Sequence, residues 1–205
     1  MCNLGKSETI VSTFGPGDEY QDCCGFGNVA PYQLAYSFTI PSGGPNFIFE
    51  SASLALSDGL GTAKDVDISL ATDASNQPGT VLETFSLLDV LGPSGTDNPL
   101  IVVDSVLDPL LLAGEQYWLI ETPPTPGNGV IWQSGYITPN SSERAISAGD
   151  GSWTVESVDP AGAFSVSGIA VPEPGSTAFL AASILAAWIV RRKFQETGRQ
   201  RSHKN

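Results

Sequence analysis

Histidine is almost missing from this sequence: the only one, His203, stands at the far C-terminal end. Without it the body cannot assemble a Ser-His-Asp triad, a Cys-His pair or a histidine-rich zinc site. No phosphate-cradling P-loop and no GxGxxG stretch occurs either. Cations are nearly as scarce. Before residue 171 the only basic side chains are Lys6, Lys64 and Arg144, set against twenty Asp and Glu, a formal charge of −17. Such a surface repels phosphate backbones, which excludes nucleic acid as a partner, while it suits divalent cations and solubility outside a cell. The first residues, MCNLGKSETIV, lack the basic region and the apolar stretch of about 7–15 residues that make a secretion signal. For an exported chain, the expectation is therefore a true start upstream of Met1. Carboxylates are plentiful enough for glycoside hydrolysis, yet nothing in their spacing brings two into one cleft. The expectation is a protein that is not an enzyme.

What is present is the material of strands and turns. In SASLALS, Ala52, Leu54 and Leu56 share one face, and Ser51, Ser53 and Ser57 share the other. In DVDISL, Val66, Ile68 and Leu70 oppose Asp65, Asp67 and Ser69. The run Tyr117 to Ile120 is apolar on both faces and reads as a central strand. Gly-, Pro-, Asp- and Asn-rich clusters at 41–46, 57–62, 72–80 and 92–99 separate these runs as turns. Further strands are expected near 32–40, 81–88, 100–107, 130–133, 144–147, 152–156 and 163–167. Some ten short strands predict an all-β fold: an antiparallel β-sandwich, jelly-roll-like, over residues 1–170.

Several residues of the body invite a functional reading. Trp132 and Trp153 are candidates for a glycan-contacting platform, although tryptophans also fill cores, as Trp118 does within its apolar run. Calcium is the one cofactor to weigh. Asp65 and Asp67 are explained by strand alternation, which leaves the loop with Asp73, Ser75 and Asn76, all of them ordinary turn formers as well. Cys23 and Cys24 are adjacent, with Cys2 as a third. They permit crosslinking between chains, a bond from one of them to Cys2, or plain thiols in a turn.

The C-terminal end reads differently. Val171-Pro172-Glu173-Pro174 should be extended and exposed, because proline fixes φ and removes backbone donors. Ala178 to Val190 follows as thirteen residues with Ser183 the only polar one, and counting from Gly175 gives sixteen. At about 1.5 Å per residue a helix over this run spans roughly 20–24 Å, short of a hydrocarbon core of about 30 Å. Arg191, Arg192 and Lys193 can snorkel and lengthen that span, and they favour a cytoplasmic C-terminus. The segment therefore divides into a motif at 171–174, a transmembrane helix over about 175–190 and a basic tail at 191–205.

In this order, at the end of a chain, the three parts closely resemble the PEP-CTERM sorting signal of Gram-negative bacteria. The resemblance covers Val171 to Lys193 and departs from the pattern in the twelve residues that follow Lys193. It implies recognition of Pro172-Glu173-Pro174 by an exosortase, a membrane-embedded transpeptidase-like cysteine protease that removes the helix and tail. It also implies transient residence in the inner membrane and an association with exopolysaccharide or biofilm matrices. The body is similar to the choice-of-anchor R domain in LATDASNQPGTVLETF (70–85), LLLAGEQYWLI (110–120), AGDGSWT (148–154) and GAFSVSG (162–168). That likeness implies an exported β-rich domain and brings no catalytic residues. The expected function is an exported, non-enzymatic surface or matrix protein. The alternatives are a module that binds matrix glycans and a permanently anchored surface protein.

Overall fold

The computed structural model describes residues 6–59, 64–95, 97–125, 128–137 and 142–171, without the side chains of Cys23 and Cys24. Every regular element among them is a strand. The first five are β1 (Ser7–Ser12), β2 (Gln21–Val29), β3 (Gln33–Thr39), β4 (Asn46–Leu54) and β5 (Leu56–Asp58). Then come β6 (Val66–Asp73), β7 (Pro78–Leu87), β8 (Gly92–Pro93), β9 (Ile101–Asp104) and β10 (Leu110–Leu111). The last five are β11 (Gln116–Thr122), β12 (Gly129–Ser134), β13 (Glu143–Ser147), β14 (Thr154–Ser157) and β15 (Phe164–Val171). The compact unit ends with β15.

Three sheets result. Six strands pair in the order β14-β13-β3-β11-β6-β7; a second sheet runs β1-β15-β4-β10, with β9 also on β4; a third runs β2-β12-β5-β8. All pairings are antiparallel except β5 with β8. The alternation read in DVDISL is realised in β6, where Val66, Ile68 and Leu70 are fully buried between less buried neighbours. Both faces of β11 are covered from Tyr117 to Glu121, as expected for a strand paired on each side.

The sheets meet in one core. Phe38 of the six-stranded sheet lies 6.2 Å from Phe164 of the second, and Phe49 and Phe85 meet at 6.4 Å. Trp132, from the third sheet, touches both of the others, with Tyr36 at 4.9 Å and Phe164 at 6.2 Å in edge-on geometry. Burying each such aromatic contributes about 1.5–3 kcal/mol. A smaller cluster of Ala35, Ala71, Trp118, Ile120 and Ala145 covers the outer face of the six-stranded sheet.

Several expectations change. SASLALS is not one strand. Ala55 interrupts it, accepting from Gln133 N–H at 2.9 Å and donating to the Ala163 carbonyl at 3.0 Å, so the chain passes from the second sheet into the third. Ser57, expected on the wet face, is consequently buried. Strands β1 and β2 lie where none was expected, and Cys23 and Cys24 sit within β2 rather than in a turn. Val171 is no exposed linker residue: it is the last residue of β15, paired with Asn46. The remainder of the 171–174 motif, the 175–190 helix and the basic tail lie outside the described residues. Among the described residues no helix is long and apolar enough to cross a membrane.

Candidate functional site

The basic side chain that sequence reading passed over organises a cleft. Arg144 lies in β13, opposite Tyr36 on one side and Glu156 of β14 on the other. Its Nε donates to Glu156 Oε1 at 2.9 Å, and Nη2 donates to the same oxygen. The guanidinium carbon stands 3.9 Å above the ring of Phe26 in β2, a cation–π contact that holds the group from below. The pair is not a loose surface bridge: the Arg144 side chain is only 19% exposed, while Glu156 is 47% exposed and forms the outer wall. With Glu156 half exposed, the pair supplies a fixed geometry more than net stability, because desolvation offsets the Coulombic gain.

Around this pair lies a mostly polar cleft of about 310 Å³, between the third sheet and the β13–β14 edge of the six-stranded sheet. Ser134, Ser157, Val158, Asp159 and Pro160 complete its wall. Tyr36 is buried beneath it, and its ring packs against Trp132. Burial pushes the Tyr36 phenol above its usual value, and the neighbouring Arg144 guanidinium opposes that push. Gly162 makes this packing possible. A Cβ there would lie 2.5 Å from Tyr36 Cε2 and 2.8 Å from Trp132 Nε1, closer than real side chains come. A second cleft of about 370 Å³, lined by Leu87, Val90, Leu91 and Ile101 among others, has no charged side chain.

The residues singled out from sequence fare unevenly. Trp132 is corrected: it is fully buried in the core, its indole N–H bonded to the Ala163 carbonyl at 3.1 Å, so it has no face for a glycan. Trp153, with Val155, packs against the cluster that holds Trp118 on the outer face of the six-stranded sheet. The sheet itself separates the two tryptophans, and they cannot form one platform. In the Asp73 loop, Asp73 Oδ1 accepts from Trp118 Nε1 at 2.9 Å and Oδ2 accepts from Asn76 N at 3.0 Å. Asn76 donates to Glu143 at 2.8 Å. Ser75 and Asn76 hold positive φ values of 59° and 67°, as turn residues do. Both carboxyl oxygens of Asp73 thus accept from protein donors, and no group of three or more Asp, Glu, His or Cys poised for a metal occurs among the described residues. Cys2 and the side chains of Cys23 and Cys24 lie outside the described residues, as do Pro172, Glu173, Pro174, Arg191, Arg192 and Lys193.

One buried group stands apart. Glu121 is fully buried and neither carboxyl oxygen has a hydrogen-bond partner; Oδ1 of Asn28, also buried, has none. Burial raises the Glu121 carboxyl well above its usual value, and the nearby Asn28 amide offsets only part of this.

Sequence analysis missed Phe26, Tyr36 and Glu156 as partners of Arg144. The one available signal was the rarity of cations, since a lone arginine among twenty acids has many carboxylates to pair with. Comparison with protein-family models and with curated proteins finds no match to this chain.

Proposed function

We propose that the chain is an exported, non-enzymatic cell-surface or matrix protein, held briefly in the inner membrane by its C-terminal segment and processed by an exosortase at Pro172-Glu173-Pro174. The carrying observation is the succession of a rigid proline motif, an apolar run and a basic cluster from Val171 to Lys193. An apolar run too short for an ordinary span, followed at once by three cations, suits a segment that is held and then released. The body is read more finely as a jelly-roll-like β-sandwich, because residues from all three sheets share one core. Its acid-rich, cation-poor composition suits a life outside the cell beside exopolysaccharide. Glycan binding is a second reading, favoured by the polar cleft around Arg144.

Mass spectrometry of the full chain, expressed with an exosortase, tests the proposal. The expected product lacks about thirty residues from Gly175 onward and leaves the membrane fraction. Glu173→Ala should retain full mass and remain in the membrane. An intact chain in the soluble cytoplasmic fraction would overturn the assignment.

A further inference from the structure

The Arg144 cleft is shaped for a particular kind of ligand. Charge narrows the choice first. The Arg144 cation is matched by Glu156, and Asp159 adds a second carboxylate, so the cleft has no positive surplus for a phosphate or uronate. The acidic body around it repels anions further. A free metal cation is disfavoured by the guanidinium itself. An apolar ligand would strip water from a guanidinium and a carboxylate without replacing their hydrogen bonds.

A neutral polyhydroxyl ring meets these demands. Adjacent hydroxyls can donate to a carboxylate while accepting from a guanidinium, a pairing in which both bonds are charge-assisted. Glu156 binds Arg144 through Oε1 alone, and Oε2 has no partner among the described residues. Of the guanidinium's five N–H groups, Nε and one from Nη2 serve Glu156 and the Tyr36 hydroxyl engages the group as well, so fewer than three are left for a ligand. Phe26 fixes the plane of the guanidinium, so little side-chain freedom is lost on binding. Val158 and Pro160 are the aliphatic residues in the lining. A volume of about 310 Å³ is at the lower end of small-molecule sites, suiting one ring rather than a long segment.

We propose that this cleft binds one sugar unit of a neutral glycan, with Arg144 and Glu156 hydrogen-bonding adjacent hydroxyls. The inference deepens the glycan-binding reading and rests on it. It is independent of the processing event, which protein mass alone tests, so either can fail without the other.

The test is calorimetric titration of the full chain, kept in a zwitterionic detergent without a sugar headgroup. The probes are glucose, galactose, mannose and rhamnose, with galacturonate as the acidic counterpart. At least one neutral sugar should bind, and galacturonate more weakly than galactose. Arg144→Lys keeps the charge but loses the planar fork, and Glu156→Gln keeps the shape but loses the anion. Each should weaken sugar binding about tenfold or more. Thermal midpoints measured in parallel identify variants that are not folded, and the conclusion rests on the folded one. The proposal is overturned if no neutral sugar binds, if galacturonate binds more tightly than galactose, or if binding survives in a folded variant undiminished.

Discussion

The indole N–H of Trp118 donates to Asp73 Oδ1 at 2.9 Å, tying a fully buried tryptophan of β11 to the end of β6. Gln116 Nε2 reaches the same oxygen at 3.3 Å, and Asn76 N takes Oδ2. An aspartate that sequence reading offers to calcium is here the acceptor for a core side chain and for its own turn. Asp73→Ala should therefore cost about 1–3 kcal/mol by orphaning the indole donor. The loss should be the same with millimolar calcium or with a chelator, as read by urea unfolding. Calcium titration of the parent chain should leave its thermal midpoint unmoved; a rise of several degrees would establish calcium binding instead.

Glu121 predicts an unusual dependence on pH. Burial raises its carboxyl well above the usual value of 4.5, and the neighbouring Asn28 amide offsets only part of that rise. The folded state thus holds its proton where the unfolded state has released it. The contribution of this group is fully present below about pH 4.5 and is lost as pH rises through the elevated folded value. Glu121→Gln has no such proton to lose. The stability difference, parent minus variant, should decline steadily from pH 4.5 toward neutrality in urea titrations. A difference that stays flat or rises across that interval would show that Glu121 is stabilised as an anion.

Much of the fold could be read because its strands announce in their own sequence which faces they bury. Val66, Ile68 and Leu70 needed only the rule of two, and the apolar run of Tyr117 to Ile120 needed only its lack of a wet side. Strand β2 could not be read so. Its sequence QDCCGFGNV has no alternation and two glycines; it is a strand because β12 pairs with it from Gly129 to Ser134, across about a hundred residues of chain. The break at Ala55 was hidden for a similar reason, since the pattern continues smoothly while the partner changes from β15 to β12. The Arg144 cleft depends on both of these long-range facts. Phe26 reaches it only because β2 is a strand, and no local spacing announces that.

Glu83 is an acid whose purpose only the fold reveals. It is buried in β7, where Oε1 accepts from Val106 N at 2.7 Å and Leu107 N at 3.1 Å, and Oε2 accepts from Ser105 Oγ at 2.6 Å. The loop so gripped displays Val106 and Leu107 to solvent. Glu83→Ala removes three bonds to a charged acceptor and should cost about 2–3 kcal/mol. Amide exchange should quicken at Val106 and Leu107 well before the core opens. Glu83→Gln keeps an acceptor oxygen and should fall between the two. Unchanged exchange at these two amides in Glu83→Ala would mean the loop is held by its own turn.

Gly162 links the stability of the core to the cleft above it. Its missing side chain leaves room for the edge-on contact of Tyr36 with Trp132, at 4.9 Å between ring centres. On the neighbouring backbone, Thr13 Oγ1 donates to the Gly162 carbonyl at 2.8 Å and accepts from Phe164 N at 2.7 Å. A methyl group at 162 cannot be absorbed by a flexible chain end, because the atoms it meets belong to two rings locked in the core. Gly162→Ala should destabilise the protein by about 1–3 kcal/mol through overpacking. It should also change the near-ultraviolet circular dichroism of Trp132 and Tyr36. Because Tyr36 underlies Arg144, the same variant should weaken neutral-sugar binding while Arg144 and Glu156 are untouched. Normal stability with an unaltered aromatic spectrum would show that the rings yield to the methyl, and that the floor of the cleft is softer than this packing implies.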